Sequence, residues 1–205
     1  MSIIQTYTGR VWDLRDPRAD NVDLQDIAMS LSQLVRFTGH CRRYAGRSYT
    51  VAQHCVLVSR RVAELAPEDY KLHLAGLLHD AHEAYIGDVS SPLKAVLRNT
   101  SIIYDRLDRE HQGVVAYWAG LDATLLKHPL VHQADMELFA TERRDLMHTS
   151  ICKWQEMPEP LPFEIQPWDG EHACYAFCNA FVTLRRLAHL RSCKVEGAGY
   201  ETLVL

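Results

Sequence analysis

The sequence predicts an all-α protein with a single core. Three observations carry this. Apolar residues recur at i, i+3, i+4, i+7 in several long segments, the stripe of a half-buried helix. Strand signals are few, the clearest being Val11-Trp12-Asp13-Leu14 after Thr8-Gly9-Arg10. At 205 residues the chain fits one domain, 1–205, and can bury a sizeable core.

Residues 1–20 read as an extended N-terminal arm with a turn at Asp16-Pro17. A helix is expected from about Asn21–Asp23, with Leu24, Ile27, Ala28, Leu31, Leu34 and Val35 as its buried stripe. Gly39, in Arg36-Phe37-Thr38-Gly39-His40, is its expected C-cap. Residues 40–49 form a basic loop with Arg42, Arg43 and Arg47, either solvated or a lip for anionic substrate. Thr50-Val51-Ala52-Gln53 fits a capping box. The helix it opens carries Val51, Cys55, Val58, Val62 and Leu65 on one face, with His54 beside them.

After Pro67 a single helix is expected over 68–86, stopped by Gly87. Ser90-Ser91-Pro92 then caps a short helix, which leaves Asp88 in a tight link. A helix over 100–119 ends at Gly120, and its charges (Asp105, Arg106, Asp108, Arg109, Glu110) read as a solvated face. A turn at Lys127-His128-Pro129 leads into a helix over 129–148 with Leu130, Val131, Ala134 and Leu138 apolar and Asp135 among them. Prolines 158, 160, 162 and 167 rule out a helix over 152–170, which reads as a covering loop. A last amphipathic helix is expected over 171–191, then a dozen residues forming a strand or a mobile tail.

Charge is near balance at −4, with a pI of about 6.2. That argues against a broad nucleic-acid-binding face. No apolar run approaches the ~20 residues of a membrane span, and the N-terminus has no signal pattern. A soluble cytoplasmic protein, with no membrane partner, is the expectation. Cys41, Cys55, Cys152, Cys174, Cys178 and Cys193 make no Cys-x-x-Cys pair, so they read as reduced thiols.

The chemistry concentrates in Leu77-Leu78-His79-Asp80-Ala81-His82-Glu83-Ala84-Tyr85-Ile86-Gly87-Asp88. On a helix, Glu83 shares a side with His79 and Asp80. Buried ionisable groups are costly unless paired or bound to metal. Imidazole with carboxylate suits divalent transition metals. His54 upstream and Asp135 downstream complete an H…HD…D order.

That order resembles the HD superfamily of metal-dependent phosphohydrolases. Val51–His54, Leu78–Lys94 and Val131–Asp135 look like the matching motifs of bacterial 5′-deoxynucleotidases, of prophage-encoded HD hydrolases and, more distantly, of phage dATP triphosphohydrolases. The likeness spans about residues 8–148. It implies an HD-type helical bundle in which His54, His79, Asp80 and Asp135 hold one divalent ion (Mn, Co, Ni, Zn, Fe or Mg). Glu83 matches the acid that orients or activates water, and Asp88 a second active-site carboxylate. Arg36 and Phe37 stand where relatives contact the nucleotide, and His40 and Lys94 are further candidates for phosphate contact.

The function so implied is hydrolysis of phosphate ester or anhydride bonds of deoxynucleotides, by a 5′-nucleotidase or a triphosphohydrolase. A phosphodiesterase on cyclic or oligomeric nucleotides, or a non-catalytic metal-binding regulator, would keep the same four ligands. The partner is a small-molecule nucleotide, and a homo-oligomer, dimer or higher, is expected.

Overall fold

A computed structural model describes residues 2–149 and 156–198. The fold is all-α, as the periodicity predicts. Strands β1 (Ile3–Gln5) and β2 (Val11–Asp13) pair antiparallel, with Ile4 opposite Trp12. Trp12 is fully buried and stacks on Tyr85 with 3.8 Å between ring centroids. The arm is tied down where the Thr8 backbone N–H and hydroxyl donate to the Asp26 carboxylate.

Helix α1 (Leu24–Gln33) is capped by Asp23, whose carboxylate accepts from the Gln25 N–H. It stops earlier than expected, and Gly39 does not cap it. Leu34 is already extended, because the chain here pairs with the segment before the next helix. Val51 N–H donates to Leu34 O at 2.9 Å and Arg36 N–H to Tyr49 O at 3.1 Å. A short 3₁₀ turn, Arg36–Gly39, follows, with Phe37 and Thr38 at φ 56° and 54°. Left-handed backbone at non-glycine residues costs on the order of 1–3 kcal/mol each.

Helix α2 (Val51–Leu65) has Thr50 as its N-cap, accepting from the Gln53 N–H. The second half of the expected box is absent. The Gln53 side chain instead donates to Gln166 O and accepts from the Trp168 N–H, both at 2.8 Å. Helix α3 (Tyr70–Leu78) crosses α2 so closely that a Cβ on Gly76 would lie 3.0 Å from Val62 Cγ2 and 3.2 Å from Ser59 Cα.

The helix expected over 68–86 is broken. After α3 the chain turns through 79–82 before α4 (Glu83–Ile86). The Ala81 and Glu83 N–H groups donate to Leu78 O and Asp80 O, three residues back instead of four. The His-Asp pair therefore sits on a tight turn. Helix α5 (Ser91–Thr100) follows, then α6 (Ile103–Ala119), which Gly120 ends in the left-handed conformation at φ 76°.

A 3₁₀ segment, Ala123–Lys127, precedes α7 (Pro129–Leu146), whose N-cap is His128. Residues 156–169 carry no helix and cover α2 and α7. Arg144 donates to Leu161 O, the Asp145 carboxylate accepts from the Ile165 N–H, and Leu161 and Ile165 are buried. Residues 152–155 of the expected covering loop lie outside the described residues. Helix α8 (Gly170–Ala198) runs past the expected end at Arg191, and 199–205 lie outside the described residues.

The core lies where α1, α2, α3, α7 and α8 meet, around Ile27, Leu31, Val58, Leu77, Leu138 and Phe177. Among the described residues no helix is long and apolar enough to cross a membrane.

Candidate metal centre

Three helices aim ligand-type side chains at one point. His54 comes from the first turn of α2, His79 from the end of α3, and Asp135 from the second turn of α7. One ligand atom from each lies within 4.8 Å of the others, a group that could hold a metal ion. His54 Nε2 is 3.3 Å from His79 Nε2 and 3.2 Å from Asp135 Oδ1. Asp80 Oδ2 lies 3.3 Å from His79 Nε2 and 3.9 Å from His54 Nε2.

The far side of each ring is committed. His79 Nδ1 lies 2.8 Å from Gly76 O, and His54 Nδ1 lies 2.5 Å from Glu142 Oε1. Each accepting oxygen calls for N–H at Nδ1, which leaves the Nε2 lone pair facing inward; a metal-binding histidine is oriented this way. Two lone pairs 3.3 Å apart repel unless a cation lies between them. A proton is one such cation. Burial opposes charge on His79, but the neighbouring Asp80 and Asp135 outweigh it and lift its pKa to about 9. A divalent ion would compete for the same lone pairs. The donor set of two imidazoles with carboxylate oxygens fits one.

Glu142 is the residue the sequence reading missed. It is fully buried on α7. It accepts from His54, from Tyr49 Oη at 2.8 Å and from Arg36 Nη2 at 3.2 Å. Burial pushes its pKa up, but Arg36 and His54 outweigh that and hold it below the usual carboxylate range. A signal was present. Glu142 falls four residues after Leu138 and seven after Asp135, on the stripe that faces the core.

A second cluster surrounds the turn. Glu83 is buried, with Oε1 3.5 Å from Lys94 Nζ and no hydrogen-bond partner on Oε2. Burial first, then Asp80 and Asp88, push its pKa well above the usual range. Burial also raises Asp88, with Arg36 opposing and Asp80 adding to the rise. Asp108, expected on a solvated face, accepts from His82 Nε2 at 3.1 Å and lies 3.9 Å from Lys94. No periodicity could have found that pairing, because α6 reaches the turn only in the folded state.

Of the expected substrate contacts, Arg36 reaches the centre, 3.7 Å from Asp80, with Glu142 on its other side. Phe37 lies beside it and stacks on Phe139. Lys94 stands at Glu83. His40 is exposed, and among the described residues no side-chain contact ties it to the centre.

A cleft of about 180 Å³ opens beside this group, lined by His79, Leu126, Lys127, Val131, His132 and Asp135. A larger hollow of about 900 Å³, between residues 66–71 and the end of α8, contains none of these groups. The chemistry marks the smaller cleft as the relevant one.

No described family profile matches the chain. Over 196 residues it is 34% identical to the uncharacterized protein YfdR of Escherichia coli K12, covering 94% of this chain and 99% of that one. It is also 34% identical over 119 residues to an uncharacterized protein of Rhodobacter capsulatus, covering 58% of each chain. Likeness over nearly the full length of both chains places this protein in the same family as YfdR.

Proposed function

We propose that this protein is an HD-type phosphohydrolase acting on deoxynucleotides, with one divalent ion held by His54, His79, Asp80 and Asp135. One observation carries the reading: a buried Glu83 with a free oxygen and a raised pKa, one turn from a converging His-His-Asp group. A structural carboxylate would have its partners filled, as Glu142 has.

What a divalent ion would supply here is Lewis acidity toward water and a phosphoryl oxygen. The rest falls to the chain. Lys94 fixes Glu83 Oε1, which leaves the buried, unpartnered Oε2 as the proton acceptor. Its raised pKa brings it nearer to neutral pH, where a general base works best. The water oxygen bonds to phosphorus, the ester or anhydride P–O bond breaks, and the electron pair leaves on the departing oxygen. The proton taken by Glu83 is then available to that oxygen. Arg36 holds Asp80 in place and adds positive charge where the phosphoryl group would sit.

The test is a panel of nucleoside and deoxynucleoside mono-, di- and triphosphates with Mn²⁺, Co²⁺, Ni²⁺ or Mg²⁺. Turnover of a deoxynucleotide is expected, with about one metal per chain. Asp80→Ala should lower both metal content and turnover. Full metal occupancy without turnover of any nucleotide would make the protein a metal-binding regulator.

A further inference from the structure

The cleft beside His79 and Asp135 differs in charge from the rest of the centre. Asp80, Glu83, Asp88 and Glu142 are all absent from its walls. Its one acid, Asp135, is turned to His54 at 3.2 Å. Leu126 and Val131 are buried in its wall, and Lys127 and His132 are exposed. Among the described residues neither Lys127 nor His132 makes a side-chain hydrogen bond or ion pair, so their donors are available to a ligand. The two come from separate elements, the end of the 3₁₀ segment and the first turn of α7.

Size narrows the ligand. Pockets that enclose drug-sized molecules measure roughly 300–1,000 Å³. A cleft of about 180 Å³ is too small for a nucleoside and large enough for phosphate groups. With His79 and Asp135 at one side, and the Lys127 ammonium and the His132 imidazole at the other, its chemistry suits a chain of phosphates that begins at the metal.

We infer that Lys127 and His132 form a subsite for the phosphates of a polyphosphate beyond the one held at the metal centre. The inference rests on the phosphohydrolase reading and deepens it: the substrate is a nucleoside polyphosphate, with its phosphate tail in this cleft. The sugar and base then lie outside the cleft.

The experiment is calorimetric titration of the metal-loaded full chain with inorganic phosphate, pyrophosphate and tripolyphosphate at fixed free metal. Pyrophosphate should bind about 10–100-fold more tightly than phosphate, the gain of one charge-assisted contact set. Combined Lys127→Ala and His132→Ala should erase that gain and leave phosphate affinity and metal content unchanged. An equal affinity for phosphate and pyrophosphate in the wild type would overturn the subsite, as would an undiminished gain in the double variant. The two readings fail separately. A gain that depends on Lys127 and His132, with no nucleotide hydrolysed, sinks the phosphohydrolase and keeps the cleft. Hydrolysis of deoxynucleotides with no such gain sinks the cleft alone.

Discussion

Glu142 and Glu83 are both buried glutamates, Glu142 bonded to His54 and Glu83 beside Asp80, yet their charges are pushed in opposite directions. Glu142 has three donors around it, and Arg36 and His54 hold it ionised. Glu83 has one long contact to Lys94, a free oxygen, and Asp80 and Asp88 for neighbours, so ionising it is opposed. The contrast teaches that burial alone does not set the state of a carboxylate; the sign of its neighbours does. The Glu142 side supports the centre. The Glu83 side is left unsatisfied.

Conservative substitution sharpens the comparison, because Gln keeps the size of Glu and removes the charge. The largest effect is expected at Glu83→Gln. Turnover of the best deoxynucleotide should fall about 10²–10⁴-fold, the usual range for general-base assistance, with metal content unchanged. Thermal unfolding should show the variant to be as stable as the parent or more so at pH 7, since the cost of burying a carboxyl group beside Asp80 and Asp88 is gone. Loss of metal in this variant would make Glu83 a ligand and dissolve the contrast.

Glu142→Gln should do the reverse. Removing one partner of a buried ion pair costs on the order of 3–5 kcal/mol, read as a lower midpoint in denaturant. Metal affinity should drop about 10–100-fold, because the partner that orients His54 is weakened. Unchanged metal affinity would leave Glu142 as a purely structural acid.

The pH dependence follows from the two shifts. Glu142 has a folded pKa below its unfolded value. Its stabilisation is present above the ordinary carboxylate range and is lost as pH falls through the folded value. Glu83 has a folded pKa above its unfolded value. The fold is free of its penalty below the ordinary range and loses stability as pH rises through the raised value. The acid limb of kcat/KM should therefore lie above the ordinary carboxylate range. Asp88→Asn should move that limb down and Lys94→Met should move it up, each by a unit or less. Movement in the same direction for both would show that another group sets the limb.

The smallest effect concerns the metal itself. A proton held at His79 with a pKa of about 9 competes with the ion. Metal affinity should then rise about tenfold per pH unit between pH 7 and 9 and level off above, as measured by competition with a chelator. A flat profile would mean that no proton is displaced.

Much of this protein was legible in its sequence. The cap at Thr50, the stop at Gly120 and the apolar stripes of α1, α2 and α7 are local features. Each is decided within about one turn of chain, so residue order suffices to read it. His54, His79 and Asp135 were legible too, by their order and by polar residues standing on or beside apolar faces. The break at His79–His82 was not. Helix pattern and tight-turn pattern use the same residues there, and the choice between them is made by what packs around the turn.

Tertiary structure alone decided which polar groups meet. Glu142 lies 88 residues from His54 and 106 from Arg36 along the chain. Gln53 gave up its expected partner at the helix start for the backbone of Gln166 and Trp168. A sequence names the donors and acceptors and sets the period on which they recur. Which pairs form, and therefore in which buried carboxylate ionisation is favoured and in which it is opposed, depends on distances of a few ångströms that exist only after the helices have packed.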